Sequence, residues 1–201
     1  MRLFTLLLFT LLSMTIAAEP FKKITNVKYA EVEGQTLALD LYLPSTKNPP
    51  LIVWVHGGAW RAGSKDFMPL TALVESGYAI ASLDYRLTTT AKFPALIHDC
   101  KGAIRWLRAH APEYGYNSEL IGIAGNSAGG HMVALIGTSN GNKELEGNVG
   151  GNKSQSSHVQ AIVSYYGASN LTTILGQSTP HGLNVRVPAL KLLLGDTPDK
   201  T

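Results

Sequence analysis

Cysteine is almost missing from this chain, with one residue, Cys100, in 201. A single thiol excludes an internal disulfide framework. Charge is scarce as well. Asp, Glu, Lys and Arg together make up 15% of the residues and the formal net charge is +3. The lysines and arginines are scattered, so the basic stripe that nucleic-acid binding needs is absent, and no nucleic-acid partner is expected. What is plentiful is apolar: 45% of the residues are hydrophobic, a globular composition rather than a disordered one. No repeat and no second domain interrupts it, and the length suits one domain with a sizeable core.

The most apolar stretch stands at the start. Arg2 precedes an almost wholly apolar run over residues 3–16, and Ala17-Ala18 lead into the polar Glu19-Pro20. That is the order of a secretory signal peptide. The run falls short of the ~20 residues that span a bilayer comfortably. Residues 1–18 are therefore expected to be a signal peptide of an exported protein, secreted or periplasmic, with no stable membrane span after cleavage. An uncleaved anchor is the alternative. Residues 19–201 are expected to form the domain.

The domain alternates strand and helix signals. Residues 25–32 and 36–43 alternate apolar and polar positions and meet at Glu33-Gly34, a hairpin pattern. Residues 51–55, 78–83, 120–124 and 159–165 are continuous apolar runs, suited to strands covered on both faces. Helical stretches fall at 69–75 and from Pro94 to about His110. The second places Leu96, Cys100, Ala103, Ile104 and Leu107 on one face, so Cys100 reads as a core residue. Lys101, Arg105 and Arg108 occupy what should be its wet face. Residues 138–157, rich in Gly, Asn, Ser and Lys, read as a long surface loop or a rim of a cleft. The expected class is α/β, a mostly parallel sheet with helices on both faces.

Chemistry enters at Gly125-Asn126-Ser127-Ala128-Gly129, which fits G-x-S-x-G. The pattern is weak alone. Here it follows an apolar strand run and opens the apolar helical segment 132–136, the strand–turn–helix setting it requires. A serine on such a sharp turn projects its hydroxyl into a cleft. Gly125 and Gly129 let strand and helix pass closely, Gly130 relieves the same crowding, and the Ala128 N–H faces a developing oxyanion. His131 is too near along the same helix to serve as base and is expected to pack or hydrogen-bond. Upstream, His56-Gly57-Gly58-Ala59-Trp60 follows the strand run 51–55. Its glycines let backbone N–H groups turn toward a carbonyl oxygen, with His56 orienting the loop.

The two motifs, in this order, resemble the hormone-sensitive-lipase and BD-FAE-like branch of the α/β-hydrolases. The run His-Gly-Gly-Ala-Trp-Arg-Ala-Gly-Ser-Lys-Asp at 56–66 and Asp-Tyr-Arg at 84–86 match that branch. So do Phe-Pro-Ala followed by Asp99 and Ala-Ile-Arg-Trp-Leu at 103–107. The resemblance implies an α/β-hydrolase fold and hydrolysis of carboxylic esters through an acyl-enzyme on Ser127. It implies oxyanion donors at the N–H groups of Gly58, Ala59 and Ala128, and structural charge pairs at Asp84, Arg86 and Asp99. One departure touches substrate preference: residues 166–171 read Tyr-Gly-Ala-Ser-Asn-Leu, with Asn170 where relatives often carry an acid near the cleft rim.

A serine nucleophile needs a base and an acid to orient it, and in α/β-hydrolases these follow the serine as Asp or Glu, then His. The Asp residues after Ser127 are Asp196 and Asp199, and no His follows either. His131, His158 and His181 all precede them, the last two reading as surface loop residues. The sequence is therefore expected to be a C-terminally truncated esterase, with its last strands and its triad Asp and His beyond Thr201. No cofactor is expected. No metal is expected either, because adjacent His98 and Asp99 have no ligand logic on a helix. The expected partner is a small-molecule ester bearing small acyl or aryl groups or linked to a polysaccharide. An arylformamidase-like amidase, an exopeptidase and a non-catalytic binding module of the same fold remain as alternatives.

Overall fold

The alternating runs near the start pair as a hairpin in the computed structural model, which describes residues 20–196. The expected signal peptide and Asp199 lie outside the described residues. Strand β1 (Phe21–Val32) lies antiparallel to β2 (Gln35–Pro44), with Val32 opposite Gln35. Glu33 (φ 52°) and Gly34 (φ 80°) are both left-handed, the geometry of a two-residue hairpin turn whose twist matches its strands.

The four apolar runs become β3 (Pro50–Val55), β4 (Ala79–Leu83), β5 (Asn117–Asn126) and β6 (Ala161–Tyr165). Between and after them come α1 (Thr71–Glu75), α2 (Ala95–Tyr114), α3 (Ala128–Thr138), α4 (Lys143–Glu146) and α5 (Pro180–Leu194). The sheet order is β1-β2-β4-β3-β5-β6, antiparallel through β2–β4 and parallel from β4 to β6. This is the mostly parallel sheet expected of an α/β-hydrolase. Pleat alternation divides the buried residues between its faces. Leu51, Val53 and Val55 join Leu96, Cys100, Ile104 and Leu107 of α2 and Met132, Val133 and Ile136 of α3 in the larger core. Trp54 turns to the other face, with Tyr42, Ile80, Ala124 and Val74 of α1.

Strand order positions the site. The chain crosses from β3 to β4 on one side, while β5 pairs with β3 on the other, with Val55 opposite Gly125. The carboxyl ends of β3 and β5 thus lie side by side at a point where strand order reverses, the usual place for a ligand crevice in an open α/β sheet.

Three expectations need correcting. First, β6 is not covered on both faces: all five of its residues are exposed, since it forms an edge of the described sheet. Second, Lys101 and Arg105 do not face water; they are 0% and 3% exposed. The segment after α3 folds back over them. Glu146 accepts from Lys101 Nζ at 2.8 Å and Arg105 Nη1 at 3.0 Å, and Ser157 Oγ donates to the same carboxylate at 2.7 Å. Arg108 donates to the carbonyls of Ser118, Ser156 and His158. The polar helix face is covered by an equally polar strap, which periodicity cannot distinguish from water. Residues 138–157 therefore include a helical turn and pack on α2, and they do not line the serine's cleft. Third, His181 is not in a loop but in the first turn of α5. Thr179 Oγ1 accepts the Gly182 N–H at 3.1 Å and Pro180 occupies the opening turn, a start signal masked by Gly182 and Pro188.

Candidate active site

Ser127 is the hinge between β5 and α3, at φ 53° and ψ −117°. A β-carbon makes that conformation costly, by about 1–3 kcal/mol, and the surroundings hold it there. The Ser127 N–H donates to the Tyr165 carbonyl at 2.9 Å, and the Ser127 carbonyl accepts from His131 N at 3.0 Å. Helix α3 can start this close to the sheet only because residue 129 is glycine: a Cβ there would stand 2.1 Å from the Val55 carbonyl oxygen. Gly125 lies against the same carbonyl, and Gly130 against Gly167. The serine side chain is exposed, and its Oγ makes no hydrogen bond to another described residue.

The loop after β3 meets this turn. Gly57 packs against Ser127 Cβ, and its N–H donates to Asn126 Oδ1 at 2.9 Å. Gly58, Ala59 and Trp60 are successively left-handed, at φ 119°, 52° and 58°. At Gly58 a side chain is impossible, since a Cβ would lie 2.0 Å from the Ala62 carbonyl oxygen. The Gly58 carbonyl accepts from the N–H groups of Arg61 and Ala62, which closes the loop. The backbone N–H groups of Gly58, Ala59 and Ala128 donate to no other described residue. Ala59, Ser127 and Ala128 line one cleft of about 510 Å³, and Ala128 opens α3, whose positive dipole end adds to the attraction for an anion.

His56 is buried beneath this loop. Its Nδ1 lies 2.7 Å from the Gly57 carbonyl, its ring stacks on Tyr85 at 4.5 Å, and Tyr85 Oη donates to the His56 carbonyl at 2.8 Å. Burial pushes its pKa below the ordinary histidine value, and the ring braces the loop. His131 packs edge-on against Trp60, 5.5 Å between ring centres, and burial lowers its pKa too. Neither ring hydrogen-bonds Ser127. His158 and His181 are exposed.

The expected charge pairs are structural. Arg86 grips buried Asp99 through Nε and Nη2 at 2.9 and 2.8 Å and adds its own N–H at 2.9 Å. Asp84 accepts the Lys65 N–H at 2.8 Å, which ties down the segment following the glycine loop. Cys100 is fully buried, and burial drives its thiol pKa well up. Among the described residues no group of three or more His, Cys, Asp or Glu is placed to hold a metal ion.

The rim expected around Asn170 is part of a wider cleft, whose α5 side carried no signal in the sequence. Tyr166, Gly167, Ala168, Ser169 and Asn170 form one wall, and Gln177, Val185, Arg186 and Ala189 come from α5 and the turns before it. Tyr166 is left-handed (φ 43°), 78% exposed, and accepts at its hydroxyl from Asn126 Nδ2 at 3.3 Å. Asn170, the position where an acid is common, lies in the cleft, its Oδ1 accepting from Thr172 N at 3.0 Å and Thr173 N at 3.3 Å.

Known proteins share this arrangement. The chain is 35% identical over 125 residues to esterase LipC of Mycobacterium tuberculosis, covering 61% of this chain and 30% of that protein. A bifunctional GH43-CE protein of Bacteroides eggerthii superposes with a TM-score of 0.79 at 35% identity, over 89% of this chain and 25% of that one. A truncated carbohydrate esterase from gut microbiota superposes at 0.80 with 31% identity, over 92% of this chain and 70% of that one. The chain spans 30–35% of the length of the first curated relatives it matches. The BD-FAE family model matches residues 39–201, and with the α/β-hydrolase sheet and the glycine-flanked serine in place, this chain belongs to the BD-FAE family.

Proposed function

We propose that this protein is an exported carboxylic ester hydrolase that works through an acyl-enzyme on Ser127. The observation that carries this reading is a strained, exposed serine sharing one cleft with Ala59 and Ala128, whose N–H groups, like that of adjoining Gly58, donate to no described residue. Ser127 Oγ attacks the ester carbonyl carbon, and its proton leaves to a base. The carbonyl oxygen becomes an oxyanion that accepts from those N–H groups. Collapse breaks the bond to the alcohol, which departs with a proton, and water then releases the acid and restores the hydroxyl.

Preorganisation supports this assignment. The three donors are fixed by β3, by the Gly58 turn and by the start of α3, so they need no reorganisation as charge develops. The esterases among the relatives support ester chemistry, and the likeness to a carbohydrate esterase supports esters carried on carbohydrates, polysaccharides included. The signal-peptide order of residues 1–18 supports export.

Labelling of the full-length protein with a fluorophosphonate tests the reading, alongside its turnover of p-nitrophenyl acetate. Stoichiometric labelling at Ser127 that S127A abolishes is the expected result. Absence of both labelling and turnover would overturn it in favour of a binding module of the same fold.

A further inference from the structure

The cleft that holds Ser127 has a polar wall that the hydrolytic step does not use. Arg186 projects from α5 into it, with Gln177 nearby on the same lining. The guanidinium is held in place: Nη1 donates to Ser178 Oγ at 2.7 Å, and Ser178 Oγ donates to the Ile174 carbonyl at 2.5 Å. The same nitrogen lies so close to Gly182 that a Cβ there would stand 2.7 Å from it. The other N–H groups of the guanidinium make no hydrogen bond to a described residue, and no described carboxylate lies within 4 Å of it. Among the described residues no Asp or Glu lines the cleft. Asn170 also lines the cleft, as a neutral side chain whose oxygen is already engaged.

An arginine on a cleft wall with donors to spare, and no described acid beside it, presents a planar fork matched to a carboxylate. We propose that Arg186 makes this cleft selective for esters that carry a carboxylate on the part of the substrate seated against α5. The inference rests on the esterase reading of Ser127 and adds the substrate class to it. Recognition is by charge-assisted hydrogen bonds from the free guanidinium nitrogens, while Ser178 sets their direction. Arg186 touches substrate away from the reacting carbonyl, so its effect falls mainly on KM.

Two isosteric pairs test this. 4-Carboxyphenyl acetate against 4-carbamoylphenyl acetate places the charge on the alcohol side. Monomethyl terephthalate against methyl 4-carbamoylbenzoate places it on the acyl side. The carboxylate member of one pair is expected to have a kcat/KM about tenfold higher, through KM, the size of one partly screened charged hydrogen bond. R186Q is expected to abolish that ratio and R186K to restore part of it. Binding of benzoate against benzamide, followed by tryptophan fluorescence, reads the same preference without turnover. A loss of ester turnover with the benzoate preference intact would count against the esterase reading and for the charge selectivity. Equal kcat/KM within both pairs, or equal losses of both members in R186Q, would overturn the selectivity.

Discussion

Asn126 Oδ1 accepts the Gly57 N–H at 2.9 Å, across 69 positions of chain. One side chain thereby fastens the glycine loop after β3 to the Ser127 turn after β5. Its other end, Nδ2, donates to the Tyr166 hydroxyl at 3.3 Å, so the loop, the serine and the far cleft wall share a bracket.

Removing that bracket should loosen the donors without removing them. N126A is expected to lower kcat about 10–100-fold, because displacement of a positioned group by about an ångström costs up to ~10²-fold. N126D, which keeps the acceptor for Gly57 N–H, is expected to retain more activity than N126A. Steady-state kinetics on a neutral ester, with far-UV circular dichroism to check folding, separates the two. Equal losses in both variants would show that the Gly57 contact is not what matters.

Gly129 tests how closely α3 and the sheet must approach. A Cβ at this position meets the Val55 backbone oxygen at 2.1 Å and the His56 oxygen at 2.6 Å, and backbone cannot move aside as a flexible side chain can. G129A is expected to destabilise the protein by about 3 kcal/mol or more, at the upper end for overpacking. Urea denaturation measures it. A change below about 1 kcal/mol would mean that the helix can shift outward at little cost.

The strap over α2 should let go in acid. Burial alone would raise the Glu146 carboxyl, but hydrogen bonds from Lys101 and Ser157 and the charges of Lys101 and Arg105 outweigh it, holding its pKa below the ordinary 4.5. The unfolded chain therefore takes up this proton first as pH falls. The stabilisation is fully present above pH 4.5 and is lost as pH drops through the lower, folded value. Thermal midpoints of the wild type are expected to fall below pH 4.5 more steeply than those of E146Q. At neutral pH E146Q should cost about 2 kcal/mol, since Lys101 and Arg105 stay buried without their carboxylate. Parallel pH profiles in the two proteins would contradict this account.

The legible parts of this protein are those set by neighbours in sequence. The hairpin followed from alternation and Glu33-Gly34. The strands β3, β4 and β5 followed from unbroken apolar runs, and the nucleophile turn from glycines flanking Ser127 between a strand and a helix. The helical start of α5 was obscured, because Gly182 and Pro188 are poor helix formers and the Thr179 cap is a weak signal beside them. Arg186 and Gln177 were not legible, because nothing local marks a residue as facing a serine some fifty to sixty positions away.

By itself the sequence determined the fold class, the serine on its turn and the glycine loop that serves it, because periodicity and glycine placement are local properties of the backbone. Tertiary structure alone decided what surrounds them. Register of β3 on β5, Val55 opposite Gly125, brings the two motifs together. The fold-back of residues 139–157 turns the charged face of α2 into a buried ion-pair cluster around Glu146. The packing of α5 puts an arginine on the cleft wall. Each is a meeting of segments distant in sequence, settled by which surfaces bury well together.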